Sequence, residues 1–450
     1  MTLAERLATF AAALEFDQLP ADVVASARLR VLDIVGLALA ASTYDFARAV
    51  VAAVSEGGPC TVIGTARTAS AAGAALVNGT LAHGLDFDDT HAVSITHASA
   101  VVVPSALAVG EREGASGRDV IAAIVAGYEA IARLGMAAPG AFHARGWHAT
   151  AVCGPFAAAL AAGKLLRLDA RGLTHALGLA GSFASGLMEL LEDGSGVKRL
   201  HAGWAAHAGV LAATLAAGGA SGPASVLEGR FGFYRTFVGT APVAEVFDTL
   251  GRAWETPRIG FKPYPCCHLN HAYIDCVVRL RQEHHLEPDA IVDVECHVPA
   301  GEVPIVCEPR AAKLRPRTTY EAQFSLPFAV AAALIDGRVG LGTFTAARLA
   351  DEGLLGLAAR VRHVVDPAST FPNGFPGWVT VRLSDGRVVE AREPDGRGGP
   401  ARPLPATAIV EKFHDNAGLV LDPARRDELA RGVLALDDAP DVRKLIARYR

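Results

Sequence analysis

A succession of alanine-rich helical patterns, broken only by Gly, Pro and Ser, runs from Thr2 to about Gly251 and limits that half of the chain to an all-α body. The clearest segments are 21–41, 71–85, 101–113, 117–134, 149–166, 174–190 and 197–217. They are apolar nearly all round, so they predict buried helices that approach one another through small side chains. With 51% apolar and 20% charged residues, the 450-residue chain can bury a large core and form two or three domains. The opening MTLAERLATFAAALEF carries a Thr2–Glu5 capping box and internal charges, so it reads as an amphipathic helix rather than a signal peptide. Later apolar runs are interrupted by Asp33, Lys164 or glycine pairs before they reach membrane-spanning length.

The pattern changes after Trp254. Residues 291–298 and 378–390 alternate and are rich in β-branched side chains, and the second stretch is a hairpin signal around an Asp385-Gly386 turn. Helical patterns at 271–284 and 324–335 lie among them, which reads as a smaller α+β domain. A Pro/Gly-rich connector at 394–405 leads to helical patterns at 406–413, 425–435 and 442–448, too short to build a core alone. The expected organisation is therefore an all-α domain over 1–255, an α+β domain over 256–395, and a tail over 396–450 that rejoins the first domain. A net charge of −5 with interspersed signs gives no basic surface for nucleic acid. Seven cysteines without CxxC spacing point to reduced thiols in the cytoplasm and offer no iron–sulfur site.

Chemistry-bearing residues concentrate at 78–100, NGTLAHGLDFDDTHAVSITHASA, which holds three histidines and three aspartates in 23 residues. A helix continuing from Ala71 would place Gly79, His83, Asp86 and Thr90 on one stripe, with His91 and His97 on a short segment closed by Pro104. The plain alternative is that the aspartates cap helices and the histidines are satisfied core residues. A metal reading would use Asp86, Asp88, Asp89 and His91, but no HxxxH, HxxE or paired-acid motif completes a coordination sphere, so no metal is assigned. His148, in RGWHATAVCGP, precedes a helical run, where it serves either an anion or a helix cap. Lys198 follows EDGSG and opens another helix, a placement poor for the helix and good for a carboxylate. Lysine is scarce, six against 36 arginines, which weighs against a routine surface lysine. Lys262 stands in GFKPYPCCHLNH with His268 and His271 at the entry to the second domain, and clefts between domains are common small-molecule sites.

Five segments in order resemble the MmgE/PrpD family, which includes 2-methylcitrate dehydratase, cis-aconitate decarboxylase and iminodisuccinate epimerase. They are NGTLAHGLDFDDTH (78–91), RGWHATAVCGPFAAALAAGKLL (145–166), GSGVKRLHAGWAAHAG (194–209), GFKPYPCCH (260–268) and AQFSLPF (322–328). The resemblance implies a mainly α fold: a large helical domain with an inserted α+β lid domain, a homodimer, and no metal or other cofactor. It also implies a di- or tricarboxylate substrate held between the domains. Carried over to this sequence, the catalytic positions are Asp86, Thr90, His97, His148 and Lys198, with His83, Lys262, His268 and His271 as candidate substrate-binding groups.

Two departures stand out: His97-Ala98-Ser99 where the family often has HPS, and Phe328 where many members carry a tyrosine, with Tyr320 eight residues earlier as a substitute. The expected chemistry is proton abstraction next to a carboxylate. Lys198 stabilises the resulting charge, His97 and His148 move protons, Asp86 orients a neighbour and Thr90 donates its hydroxyl. Dehydration of a 2-methylcitrate-like hydroxy acid is the first expectation, and decarboxylation or epimerisation would use the same groups. From other classes, a hydrolase with metal on Asp86, Asp88 and His91, or a non-catalytic carboxylate-binding member, remain as alternatives.

Overall fold

Thr2 caps the first helix, α1 (Leu3–Ala13), through the reciprocal capping box with Glu5 that the sequence signals. The structure, a computed structural model, describes residues 1–54, 57–371 and 374–450. It divides into two compact units: Met1–Glu189 with Val197–Gly260 and Pro405–Arg450, and Leu190–Gly196 with Phe261–Leu404.

In the first unit α1 is followed by α2 (Ala21–Ala41), α3 (Ala71–His83), α4 (Ser99–Glu113), α5 (Gly117–Met136), α6 (Ala149–Leu165), α7 (Ala170–Ala180) and α8 (Lys198–Ala217). Helix α8 packs on α3, α6, α7 and α4. Small residues permit that density. A Cβ at Gly79 of α3 would lie 2.8 Å from the Cα of Gly203 in α8, and one at Gly203 would overlap the Leu76 carbonyl and the Thr80 hydroxyl. On the other side, a Cβ at Gly209 would sit 2.6 Å from the Pro155 carbonyl of α6. The backbones therefore touch, and dispersion between them is gained at full packing density.

Three local expectations fail. The helix from Ala71 stops at His83, and Asp86 adopts a left-handed φ of 51°, so the Gly79–His83–Asp86–Thr90 stripe does not form as a helix face. Pro104 lies inside α4 rather than closing a segment ahead of it. The expected helix over 174–190 ends at Ala180, followed by a 3₁₀ turn at Gly181–Phe183 and by Gly186 at φ 127°, a conformation open to glycine but not to helix.

The second unit contains α9 (His271–His284), β1 (Ile291–Val298), α10 (Leu326–Asp336), β2 (Val361–Val365), β3 (Gly377–Leu383) and β4 (Val388–Glu393). The sheet order is β2-β1-β3-β4, with β1 and β2 parallel and the other pairs antiparallel. The β3–β4 hairpin turns at Asp385-Gly386, where Gly386 takes φ 88°. Helix α9 packs on β3, β4 and α10. Strand β2 was not expected from sequence. Five residues give little periodicity, and its parallel pairing needs a long crossover that carries α10. The chain then returns to the first unit as α11 (Ala406–Ala417) and α12 (Pro423–Leu434), both packed against α2. The architecture is mainly α, and among the described residues no helix is long and apolar enough to cross a membrane.

Replacing Gly203 with Ala should destabilise the first unit by ~1–3 kcal/mol, since backbone cannot yield as a side chain can. A urea midpoint shifted down at unchanged slope would record it, and an unchanged midpoint would refute the close-approach argument.

Candidate active site

The link between α3 and α4, residues 84–98, is irregular yet almost wholly buried, so its polar groups must find partners inside the protein. They do so through charges from distant elements. Asp89 pairs with Arg30 of α2 at 2.9 Å, both side chains 1% exposed, and accepts from the Ser99 amide at 3.1 Å. Ser99 Oγ in turn meets the Tyr128 hydroxyl at 2.6 Å. Lys412 of α11 donates to the Phe87 carbonyl at 2.7 Å, lies 3.8 Å over the Phe87 ring and pairs with Asp33 at 2.9 Å. Burial pushes the Asp33 carboxyl up to about 6 against the pull of Lys412, and burial lowers Lys412. Thr90 and Gly260 exchange two backbone hydrogen bonds of 2.8 Å. The loop is thereby fixed from below and from both sides.

Above these anchors the side chains converge. Lys198, the first residue of α8, reaches Asp86 at 2.7 Å, with the two side chains 7% and 1% exposed. His83 Nδ1 donates to Asp88 at 2.8 Å, and its Nε2 is buried without a hydrogen-bond partner among the described residues. His97 Nδ1 lies 2.7 Å from the Asp89 carbonyl and 3.2 Å from Thr90 Oγ1. A carbonyl can only accept, so the Nδ1 of His97 carries hydrogen and its Nε2 is the basic nitrogen of the neutral ring. Ring centroids separate His83 and His97 by 4.9 Å, and each of them from His148 by 5.8 Å. His148 occupies the N-cap position of α6 but its side chain caps nothing; instead Nδ1 faces Nδ1 of His201 at 3.1 Å.

One unit thus brings together six of the nine sequence candidates: His83, Asp86, Thr90, His97, His148 and Lys198. It adds His143 and His201, which the sequence reading passed over. His201 stands three residues after Lys198, one helical turn along the same face, and that spacing was the available signal. His268 and His271 belong to the second unit, their ring centroids 5.0 Å apart, with His271 Nε2 3.2 Å from the Cys266 carbonyl. Lys262, in the same unit, is 1% exposed. Phe328 is buried in α10 against Phe344, and Tyr320 lines a small cavity with Lys313 and Arg317.

The metal alternative on Asp86, Asp88 and His91 is overturned by geometry: Asp86 is engaged by Lys198, while His91 bonds Ser94 at 2.8 Å and Glu255 at 3.2 Å. A different set, His83, Asp88 and His97, offers ligand atoms within 4.8 Å of one another. Internal hydrogen bonds use one oxygen of Asp88 and both Nδ1 atoms of that set, and the Nε2 atoms are the ring nitrogens these bonds leave over. All seven cysteines are free and buried.

Electrostatics favours neutral imidazoles. Burial, then the charge of Lys198, pushes His143 down to about 4. Burial, then His83 and Lys198, does the same to His201, again to about 4. Burial first, then His201, Lys198, His83 and His97, holds His148 well below the ordinary range.

Residues 5–245 match the MmgE/PrpD N-terminal domain and residues 264–438 the MmgE/PrpD C-terminal domain. The chain belongs to the MmgE/PrpD family. It is 30% identical to the cis-aconitate decarboxylase of Aspergillus terreus (strain NIH 2624 / FGSC A1156), over 97% of this chain and 94% of that one. Similar values relate it to the cis-aconitate decarboxylase-like protein oryM of Aspergillus oryzae, 29% over 95% and 93%. The Homo sapiens cis-aconitate decarboxylase is 29% identical over 82% of this chain and 77% of its own. In MmgE/PrpD terms the histidine cluster and Lys198 fall in the N-terminal domain match, His268 and His271 in the C-terminal one, and Lys262 between them.

Two outcomes test the site. His143 and His201 should stay neutral on acidification, with ring resonances that titrate near pH 4 rather than 6.5. Between those values the unfolded chain binds protons the folded one refuses, so these rings lower stability as pH falls from about 6.5 to about 4. Lys198→Met should cost roughly 3 kcal/mol by removing the ammonium that faces the buried Asp86 carboxylate, and adding Asp86→Asn, which tolerates φ 51°, should recover most of it in a double-mutant cycle.

Proposed function

We propose that this chain is a carboxy-lyase acting on an unsaturated tricarboxylate of the cis-aconitate type, in place of the hydroxy-acid dehydration expected first from sequence. The observation that carries the reading is the buried convergence of one ammonium, Lys198, with the imidazoles of His97 and His148, in a chain akin to proteins named cis-aconitate decarboxylase.

In such a substrate the carboxylate on the saturated carbon is one bond removed from the C=C. When its C–C bond breaks, carbon dioxide leaves and the bonding pair forms a new C=C. The old π pair moves to the carbon beside a remaining carboxylate, and that carbon takes one proton. The trianion and a proton give a dianion and carbon dioxide. Charge therefore gathers on a carboxylate in the transition state, where Lys198, held by Asp86, is worth most because little water competes. His148 supplies the proton, and Thr90 together with the basic Nε2 of His97 orients the substrate. The tautomer of His97 also suits α-proton removal, and this favours dehydration of a 2-methylcitrate-like acid as the second reading.

The test is incubation of purified protein with cis-aconitate, 2-methylcitrate, citrate and iminodisuccinate in deuterated water, followed by NMR. Carbon dioxide release from cis-aconitate with one deuteron per product is expected, and Lys198→Ala or His148→Asn should slow it by roughly 10²-fold or more. Turnover of 2-methylcitrate alone would move the assignment to dehydration, and no turnover of any would remove the lyase reading. Chelation should leave the rate unchanged.

The expected homodimer joins this proposal. Leu200, Trp204, Leu211 and Leu215 form an exposed apolar row on α8, and antiparallel pairing with a second copy would set its two ends against each other. Light scattering should give twice the chain mass, reduced towards one chain by Trp204→Glu.

A further inference from the structure

His148 and His201 meet through like atoms. Their Nδ1 nitrogens are 3.1 Å apart, so in the neutral pair one ring must donate and the other accept, and the choice fixes which nitrogen of His148 bears hydrogen. His148 is further held by its amide, which donates to the Gly186 carbonyl at 3.0 Å. The groups facing the pair are Lys198 on α8, His83 at the end of α3, His97 ahead of α4 and His143 on the short helix Ala141–Ala144. Lys198 and the three rings supply no carboxylate to hold an imidazolium, and burial disfavours one further. A proton that reaches this pair is best passed on without charging either ring.

We propose that His201 is a positioning residue that sets the tautomer of His148 and hands it a compensating proton as His148 gives its own to the substrate. With His201 donating from Nδ1, His148 carries hydrogen on Nε2. As that hydrogen goes to the substrate carbon, the Nδ1 proton of His201 moves to Nδ1 of His148, and His201 takes a proton from solvent at Nε2. Three bonds to hydrogen break and three form, neither imidazole holds a full charge, and hydrogen ends on Nδ1 of His148 and Nε2 of His201. After product leaves, solvent returns a hydrogen to Nε2 of His148, the Nδ1 hydrogen goes back to Nδ1 of His201, and His201 releases its Nε2 hydrogen to solvent, which restores both starting tautomers. The relay rests on the lyase reading; the tautomer does not.

The experiment has two arms. Without substrate, long-range ¹H–¹⁵N correlations of histidine-labelled protein should show His148 protonated on Nε2 in the parent and a tautomer mixture in His201→Phe. An Nδ1-protonated His148 in the parent, or no change in the variant, overturns the assignment. With the substrate found for the parent, His201→Ala should lower kcat at least tenfold with KM within twofold, and added imidazoles should restore part of the rate, better the more acidic the imidazolium. A loss indifferent to imidazole, or an unchanged kcat, overturns the relay. His201→Asn, close in size, should lose kcat at an unchanged melting temperature. Should the parent turn over nothing, the lyase reading fails while the first arm still decides the tautomer.

Discussion

The buried ion pair between Arg30 and Asp89, with the Lys412–Asp33 pair beside it, is the constraint on which the rest of the first unit depends. Without it a fifteen-residue irregular segment could not stay inside an alanine-rich helical body, because its amides and carbonyls would lack partners there. Such pairs add little net stability, since desolvation offsets most of the attraction. What they give is position. Lys412 grips the Phe87 carbonyl, Arg30 and Ser99 grip Asp89, and between those grips Asp86, Asp88 and Thr90 have one place to be.

The helical scaffold was legible because its information is local. The patterns over 21–41, 271–284 and 291–298 and the Asp385-Gly386 hairpin appear with those boundaries, give or take a few residues, since periodicity and turn chemistry act over short windows. The 84–98 segment was legible in residue types and illegible in shape. Its conformation is imposed by Arg30, 59 positions before Asp89, and by Lys412, 325 positions after Phe87, and no window of sequence contains those partners. A polar stripe was therefore expected on a helix where a left-handed Asp86 instead ends it. Strand β2 was missed for a related reason: its pairing is parallel and non-local.

Density and charge are connected in this unit. Gly79 and Gly203 let α3 and α8 approach until their backbones touch, and the same approach brings His83, at the end of α3, towards Lys198 and His201, on the first turn of α8. Close packing excludes water, and exclusion of water is what depresses the imidazoles. A looser crossing would admit solvent and return these rings to their ordinary range. Electrostatic tuning of the imidazoles and core packing are here one property of one helix pair.

The reaction classes known in this family differ in their proton inventory more than in the groups they need. Epimerisation returns the proton it removes, dehydration sends it out with the hydroxyl, and decarboxylation draws a fresh one from solvent. A site that only recycles protons can be sealed around a single base. The arrangement seen here pairs His148 with His201, 2% and 7% exposed, through their Nδ1 atoms, and the proposed relay would use that contact to import one. Phe328, apolar and packed on Phe344, offers no phenol at its position.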